Sequence, residues 1–253
     1  MFGHDDEELV PLPSSGRVYV ASRRVRLGDS SPGGRVRFDA IARYLQDIAN
    51  DDSRDAGSPN PTAWVARRTV IRVESLPRYL DMLTLKTWCS ALGPRWAQRR
   101  YSIASDDNST VGSIEAATLW VHVNMDTMKP IEVPADFAAQ FGEAAAGRTI
   151  SARLHLRTRP GDAAVSTTVW PLRFVDFDVL GHVNNSVYWS IIEEQLARLN
   201  DLRAPLIVAL DHRDAIDPGD EIEVTVADTE AGFDLWVTTT RGRLAAVAKA
   251  RRA

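Results

Sequence analysis

The sequence predicts an α+β protein built from two tandem copies of one unit, each a curled antiparallel sheet around one long helix. Three observations predict it. A loop motif recurs, each copy runs into a helical apolar stripe, and each is followed by a series of strand-like segments. The first copy, Arg26-Leu27-Gly28-Asp29-Ser30-Ser31-Pro32-Gly33-Gly34-Arg35-Val36, aligns without gaps on Arg173-Phe174-Val175-Asp176-Phe177-Asp178-Val179-Leu180-Gly181-His182-Val183. Arg26, Asp29, Gly34 and Val36 are matched by Arg173, Asp176, Gly181 and Val183 at one constant offset, the mark of an internal duplication. Behind the second copy, Tyr188, Ile192, Leu196 and Leu199 follow helical spacing, the apolar stripe of a helix lying on a sheet. Ile41 and Leu45 keep the same phase behind the first.

In chain order, residues 17–27 read as a strand and a helix covers 38–50. Strands follow over 69–76, 83–91, 97–104 and 111–123, segments rich in β-branched and aromatic residues. Asp106-Asp107-Asn108-Ser109 has the composition of a hairpin turn. Residues 128–164 are rich in Pro, Ala and Gly, with a short helix expected over 136–143. The second half repeats the order: a strand over 166–173, a helix after Asn185, then strands over 206–212, 221–227, 233–240 and 244–250. Alternating strands of this kind suit an antiparallel sheet with one buried face. The expected organisation is a first unit over 1–140, a linker over 141–160 and a second unit over 161–253. One helix wrapped by a curled sheet, repeated, is a tandem hot-dog fold.

Bulk properties narrow the function. A net charge of −4 argues against a general nucleic-acid binder, which is normally basic. The single cysteine, Cys89, excludes an intramolecular disulfide framework and fits a reducing compartment. It lies in the alternating run Leu83, Leu85, Thr87, Cys89 and reads as a small packed side chain. Residues 1–10 are acidic, without the pattern of a secretory signal, and no apolar run approaches the ~20 residues of a membrane span. A cytoplasmic protein that makes no use of membrane is expected. His122, His155 and His212 lack metal-ligand spacing, and the glycines form no GxxxxGK[ST] or GxGxxG loop. No metal or cofactor is therefore expected.

The second loop carries the chemistry. It sets Asp178, Gly181, His182, Asn184 and Asn185 just ahead of a helix, where unpaired N–H groups and the positive dipole end can receive a developing anion. That suits attack on a carbonyl. The first loop has Ser31 and Arg35 where the second has Asp178 and His182, so the first half is expected to shape substrate rather than react with it. Asn185 is expected as the helix N-cap.

The chain resembles the acyl-acyl-carrier-protein thioesterases. The resemblance covers most of the chain and rests on Arg26-Leu27-Gly28-Asp29 with the helix Phe38 to Asp47, on Trp64-Val65 before Thr69-Val70, on the stretch Trp120 to Pro130, and on the loop Asp178 to Tyr188. It implies a double hot-dog enzyme hydrolysing fatty acyl thioesters of acyl carrier protein, with Asp178 as general base or direct nucleophile. His182 would orient the water or bond the carbonyl, Gly181 and its neighbours would supply oxyanion donors, and Asn184 would support the loop. Glu194 matches a helix glutamate of the family. The family's asparagine two residues after the aspartate is Leu180 here, and its strand glutamate and cysteine are Ala215 and Ile216. Leu180-Gly181-His182 is similar instead to simpler bacterial hot-dog thioesterases. An acyl-CoA thioesterase and a non-catalytic acyl-binding module are the rival readings. Arg95, Arg99 and Arg100, or Arg251-Arg252, offer basic patches for an acidic carrier, against a plain solvated strand face and a frayed tail. Pairing into a homodimer is left open.

Overall fold

The computed structural model describes residues 9–57, 64–105, 113–199 and 203–253; the turn expected at Asp106 to Ser109 lies outside them. The first half runs β1 (Tyr19–Arg24), a 3-10 turn (Leu27–Asp29), α1 (Phe38–Asp55), β2 (Trp64–Val73), β3 (Met82–Leu92), β4 (Trp96–Ser105) and β5 (Ile114–His122). After α2 (Ala135–Phe141) the second half repeats the series: β6 (Ser166–Trp170), a 3-10 turn (Phe174–Asp176), α3 (Asn185–Arg198), β7 (Leu206–His212), β8 (Ile222–Thr229), β9 (Gly232–Thr239) and β10 (Leu244–Arg252).

The strands form one ten-stranded sheet in the order β1-β3-β4-β5-β2-β7-β10-β9-β8-β6. Each half thus has the same internal order, and the halves meet where β2 pairs antiparallel with β7, Val70 opposite Ala209. Ile71, Val73, Ile103 and Ala116 of the first half join Val208, Leu210, Val224 and Val237 of the second in a single apolar core under both helices. The helices close it. Phe38 stacks on Trp189 at 6.0 Å and 8° between ring planes, and both side chains are almost wholly buried.

Two elements run further than sequence patterning suggests. α1 continues past Asn50 to Asp55 because Asp52 is buried and ion-paired with Arg17 and Arg99, so an acidic residue that reads as a helix end is part of the packing. β2 begins at Trp64 rather than at residue 69. Arg67 and Arg68 do not end it, because Arg67 reaches the Arg213 carbonyl and Arg68 the Arg153 carbonyl.

The connection between the halves lies as an irregular strap on the sheet face opposite the helices. Leu92 N–H donates to the Arg148 carbonyl, Trp96 Nε1 to that of Ile150 and Trp236 Nε1 to that of Arg157. Leu156 packs on Val70, Ile207 and Ala209. The strap is therefore tied to both halves.

His212 closes β7 edge-on to Tyr188, with centroids 5.1 Å apart. Burial and then the nearby Arg67 push its pKa down from 6.5 to about 4. The folded state thus holds the imidazole neutral, and its stability contribution is present above pH 6.5 and lost as pH falls toward 4, on the order of 3 kcal/mol in full. In His212→Gln, the fall in Tm between pH 6.5 and 4.5 should be visibly shallower than in the wild type; equal slopes would remove His212 from the acid response.

Candidate active site

The two loops superimpose bond for bond. In the first, Ser31 N–H donates to the Arg35 carbonyl at 2.7 Å, Gly34 N–H to Ser31 at 2.8 Å and Arg37 N–H to Asp29 at 2.9 Å. In the second, Asp178 N–H donates to His182 at 3.0 Å, Gly181 N–H to Asp178 at 3.0 Å and Asn184 N–H to Asp176 at 2.8 Å. Gly34 and Gly181 close the turns at φ +79° and +77°, values a Cβ disfavours. The backbone is a repeat; the side chains are not.

In the second loop the carboxylate of Asp178 is held from two sides. Leu180 N–H donates to Oδ1 at 2.9 Å and Asn184 Nδ2 donates to Oδ2 at 3.1 Å. Asn184 Oδ1 meanwhile accepts from Ser186 N–H at 2.9 Å and Ser186 Oγ at 2.8 Å. Asn184, not Asn185, is therefore the N-cap of α3. The cap needs an extended residue whose side chain turns back onto the helix, and Asn184 has that backbone while Asn185 is already helical. This cap also fixes the amide orientation, so Asn184 presents only N–H to Asp178.

A cleft of about 650 Å³ opens beside this carboxylate. Phe177, Asp178, Leu180, Asn184 and Asn185 line one wall, and α1 of the first half forms the facing wall. The Asp178 carboxylate thus lies at the boundary between halves. Asn185, the first residue of α3, lines the cleft, and its N–H has no acceptor among the described residues. Gly181 does not supply an oxyanion donor: its N–H is spent on the Asp178 carbonyl, and its contribution is the turn itself.

His182 is placed differently. Its ring is not on the cleft wall but turned to Asp217, Nδ1 to Oδ1 at 3.0 Å. A carboxylate only accepts, so Nδ1 of the neutral ring carries the proton. Asp217 belongs to a braced segment: its N–H donates to Asp220 Oδ2 at 3.0 Å, and Arg243 reaches Asp220 at 2.5 Å and Asp217 at 3.5 Å. Val183 N–H donates to the Ile216 carbonyl at 3.1 Å, which ties this segment to the loop. Sequence patterning misses Asp217; the one available signal is a carboxylate two residues beyond Ala215. Ile216 itself is buried core and Ala215 is exposed.

The first loop makes different side-chain contacts. Arg35, in the place of His182, pairs with Glu193 at 2.6 Å, and Glu193 also accepts the Phe38 N–H at 3.0 Å. Glu194 is exposed, so the buried helix glutamate is its neighbour. Of the basic residues near β4, Arg99 and Arg100 are buried and paired with Asp52 and Glu115. They present no surface patch. Cys89 is buried and also lines the cleft; burial raises its thiol pKa to about 11, which keeps it protonated and unreactive.

Comparison with known proteins gives a consistent picture. Residues 16–141 match the acyl-ACP thioesterase N-terminal domain and residues 161–250 the acyl-ACP thioesterase C-terminal domain. An uncharacterized protein of Mycobacterium tuberculosis is 33% identical over 221 residues, 87% of this chain and 86% of that protein. The chloroplastic oleoyl-acyl carrier protein thioesterase 1 of Arabidopsis thaliana is 23% identical over 90% of this chain and 69% of its own length. The structure of the 12:0-ACP thioesterase from Umbellularia californica aligns with a TM-score of 0.76 at 17% identity, covering 94% of this chain and 97% of that one; this likeness speaks for the tandem hot-dog fold. Both domains of one family, matched in order along a duplicated chain, make this protein a thioester hydrolase belonging to the acyl-ACP thioesterase family.

Proposed function

We propose that the protein hydrolyses the thioester of a fatty acyl-acyl-carrier-protein to free fatty acid and carrier thiol, with Asp178 as general base or nucleophile. The observation that carries this reading is the Asp178 carboxylate, held by Leu180 N–H and Asn184 Nδ2 on the wall of a 650 Å³ cleft. As a base, Asp178 takes a proton from water while the water oxygen attacks the thioester carbon. The tetrahedral oxyanion is received by the Asn185 N–H at the start of α3, and collapse expels the thiolate, which picks up the proton. One such donor is typically worth about 3–4 kcal/mol. As a nucleophile, the same carboxylate gives an anhydride that water then opens. The second half carries the chemistry and the first supplies the facing wall. The lone, buried Cys89 suits a reducing, cytoplasmic setting.

His182 acts here as a positioning residue, bracing the loop through Asp217 rather than touching substrate. Asp217→Ala should lower kcat about ten- to a hundredfold, and Asp217→Asn, which keeps an acceptor for Nδ1, should recover most of the loss at unchanged Tm. Equal loss in both variants would point to a charge requirement at Asp217 rather than positioning.

The reaction is tested by thiol release from chain-matched acyl-ACP and acyl-CoA. Turnover of acyl-ACP with higher kcat/KM supports the reading, preference for acyl-CoA moves the protein to that substrate class, and binding without turnover makes it an acyl-binding module.

A further inference from the structure

The part of the wall that α1 contributes is largely polar. α1 turns Gln46, Asn50 and Ser53 into the cleft, residues whose spacing puts them on one helix face. Ser53 Oγ is spent on the Ala49 carbonyl at 2.9 Å. The side-chain amides of Gln46 and Asn50 are half-buried and make no hydrogen bond among the described residues. The aliphatic groups of comparable size in the cleft, Val175, Val179, Leu180 and Val187, all belong to the catalytic loop or the start of α3, and Val179 is 99% exposed. On the first-half side the strand lining is largely apolar, with Cys89, Ala97 and Trp120 near Trp64 and Phe137, which are in ring contact at 4.7 Å, and most of the polar groups are gathered on α1.

A saturated chain lying on α1 would strip water from two amides and return nothing, a loss of roughly tenfold in affinity for each unpaired group. An oxygen on the chain would restore the bond. Gln46 also borders a small cavity shared with Asn185 and Trp189, which places it beside the start of α3, and Asn50 lies about 6 Å further along the helix. The oxygen would then fall within the first carbons after the thioester. Resting on the hydrolase reading above, we propose that the cleft selects acyl groups bearing a hydroxyl or oxo oxygen near the thioester, recognised by Gln46 and Asn50.

The test compares chain-matched saturated, 3-hydroxyacyl and 3-oxoacyl thioesters on the wild type, Gln46→Leu and Asn50→Leu. Leucine is a good helix former at these positions, and Tm verifies that the fold survives. The expected result is a kcat/KM preference of about tenfold or more for an oxygenated substrate, reduced about tenfold in each variant. Equal or better turnover of the saturated substrate, or a preference that both variants retain, overturns the proposal. Calorimetric binding of the corresponding free acids separates the two readings. If no thioester turns over but the oxygenated acids bind more tightly, and the variants lose that advantage, hydrolysis fails and the selectivity stands. Equal binding of saturated and oxygenated acids, with no turnover, removes the selectivity as well.

Discussion

Asp178→Asn should lower kcat for thiol release by about 10²–10⁴-fold, the usual range for loss of a positioned general base, and should also weaken the loop. The second effect follows from the hydrogen bonds. Both donors to the carboxylate, Leu180 N–H and Asn184 Nδ2, are fixed, the latter because Asn184 Oδ1 is committed to Ser186. An asparagine at 178 can satisfy one of them and must set its own N–H₂ against the other, at about 1 kcal/mol. The double variant Asp178→Asn with Asn184→Asp reverses the polarity of the pair: residue 178 then donates, and aspartate at 184 still caps α3. Tm should return to the wild-type value in the double variant while kcat stays low. Recovery of activity together with stability would show that the loss came from loop disorder and that Asp178 has no chemical role.

Trp189→Ala is expected to produce the largest loss of stability, about 3–5 kcal/mol, or a fall in Tm of about 10 °C for a protein of this size. Trp189 is 1% exposed, and its ring lies flat on Phe38 of the other half's helix. Truncation opens a cavity where α1 and α3 meet, and neither helix can move in to fill it without leaving its sheet. Denaturant unfolding checks this. A cost below about 1 kcal/mol would show that the helices repack independently, and a second transition would show that the halves unfold separately.

The duplication, the order of elements and the loop at Asp178 were legible in the sequence because they are local: one motif, one helical stripe, runs of alternation. What was hidden depended on distant partners. Asp52 reads as a helix terminator until Arg17 and Arg99 neutralise it. Arg99 and Arg100 read as a cationic surface until the fold buries them against Asp52 and Glu115. Asn184 and Asn185 are equivalent as cap residues by composition, and only the backbone at 184 separates them. Asp217 carries no motif, and its relation to His182 exists only once β7 brings its following turn beside the loop. For Gln46 and Asn50 helical periodicity gives only the face they share, since it cannot tell water from a cleft.

The seam between β2 and β7 has an evolutionary consequence. When two identical chains assemble about a two-fold axis, every substitution appears on both sides of the interface. An arginine replacing a loop histidine would then alter both loops together. Joining the two units in one polypeptide lifts that constraint. Arg35 was free to become an ion-pair partner for Glu193 while His182 kept its own partner, Asp217. The fused chain keeps the architecture of a symmetric pair and can give each loop a different task.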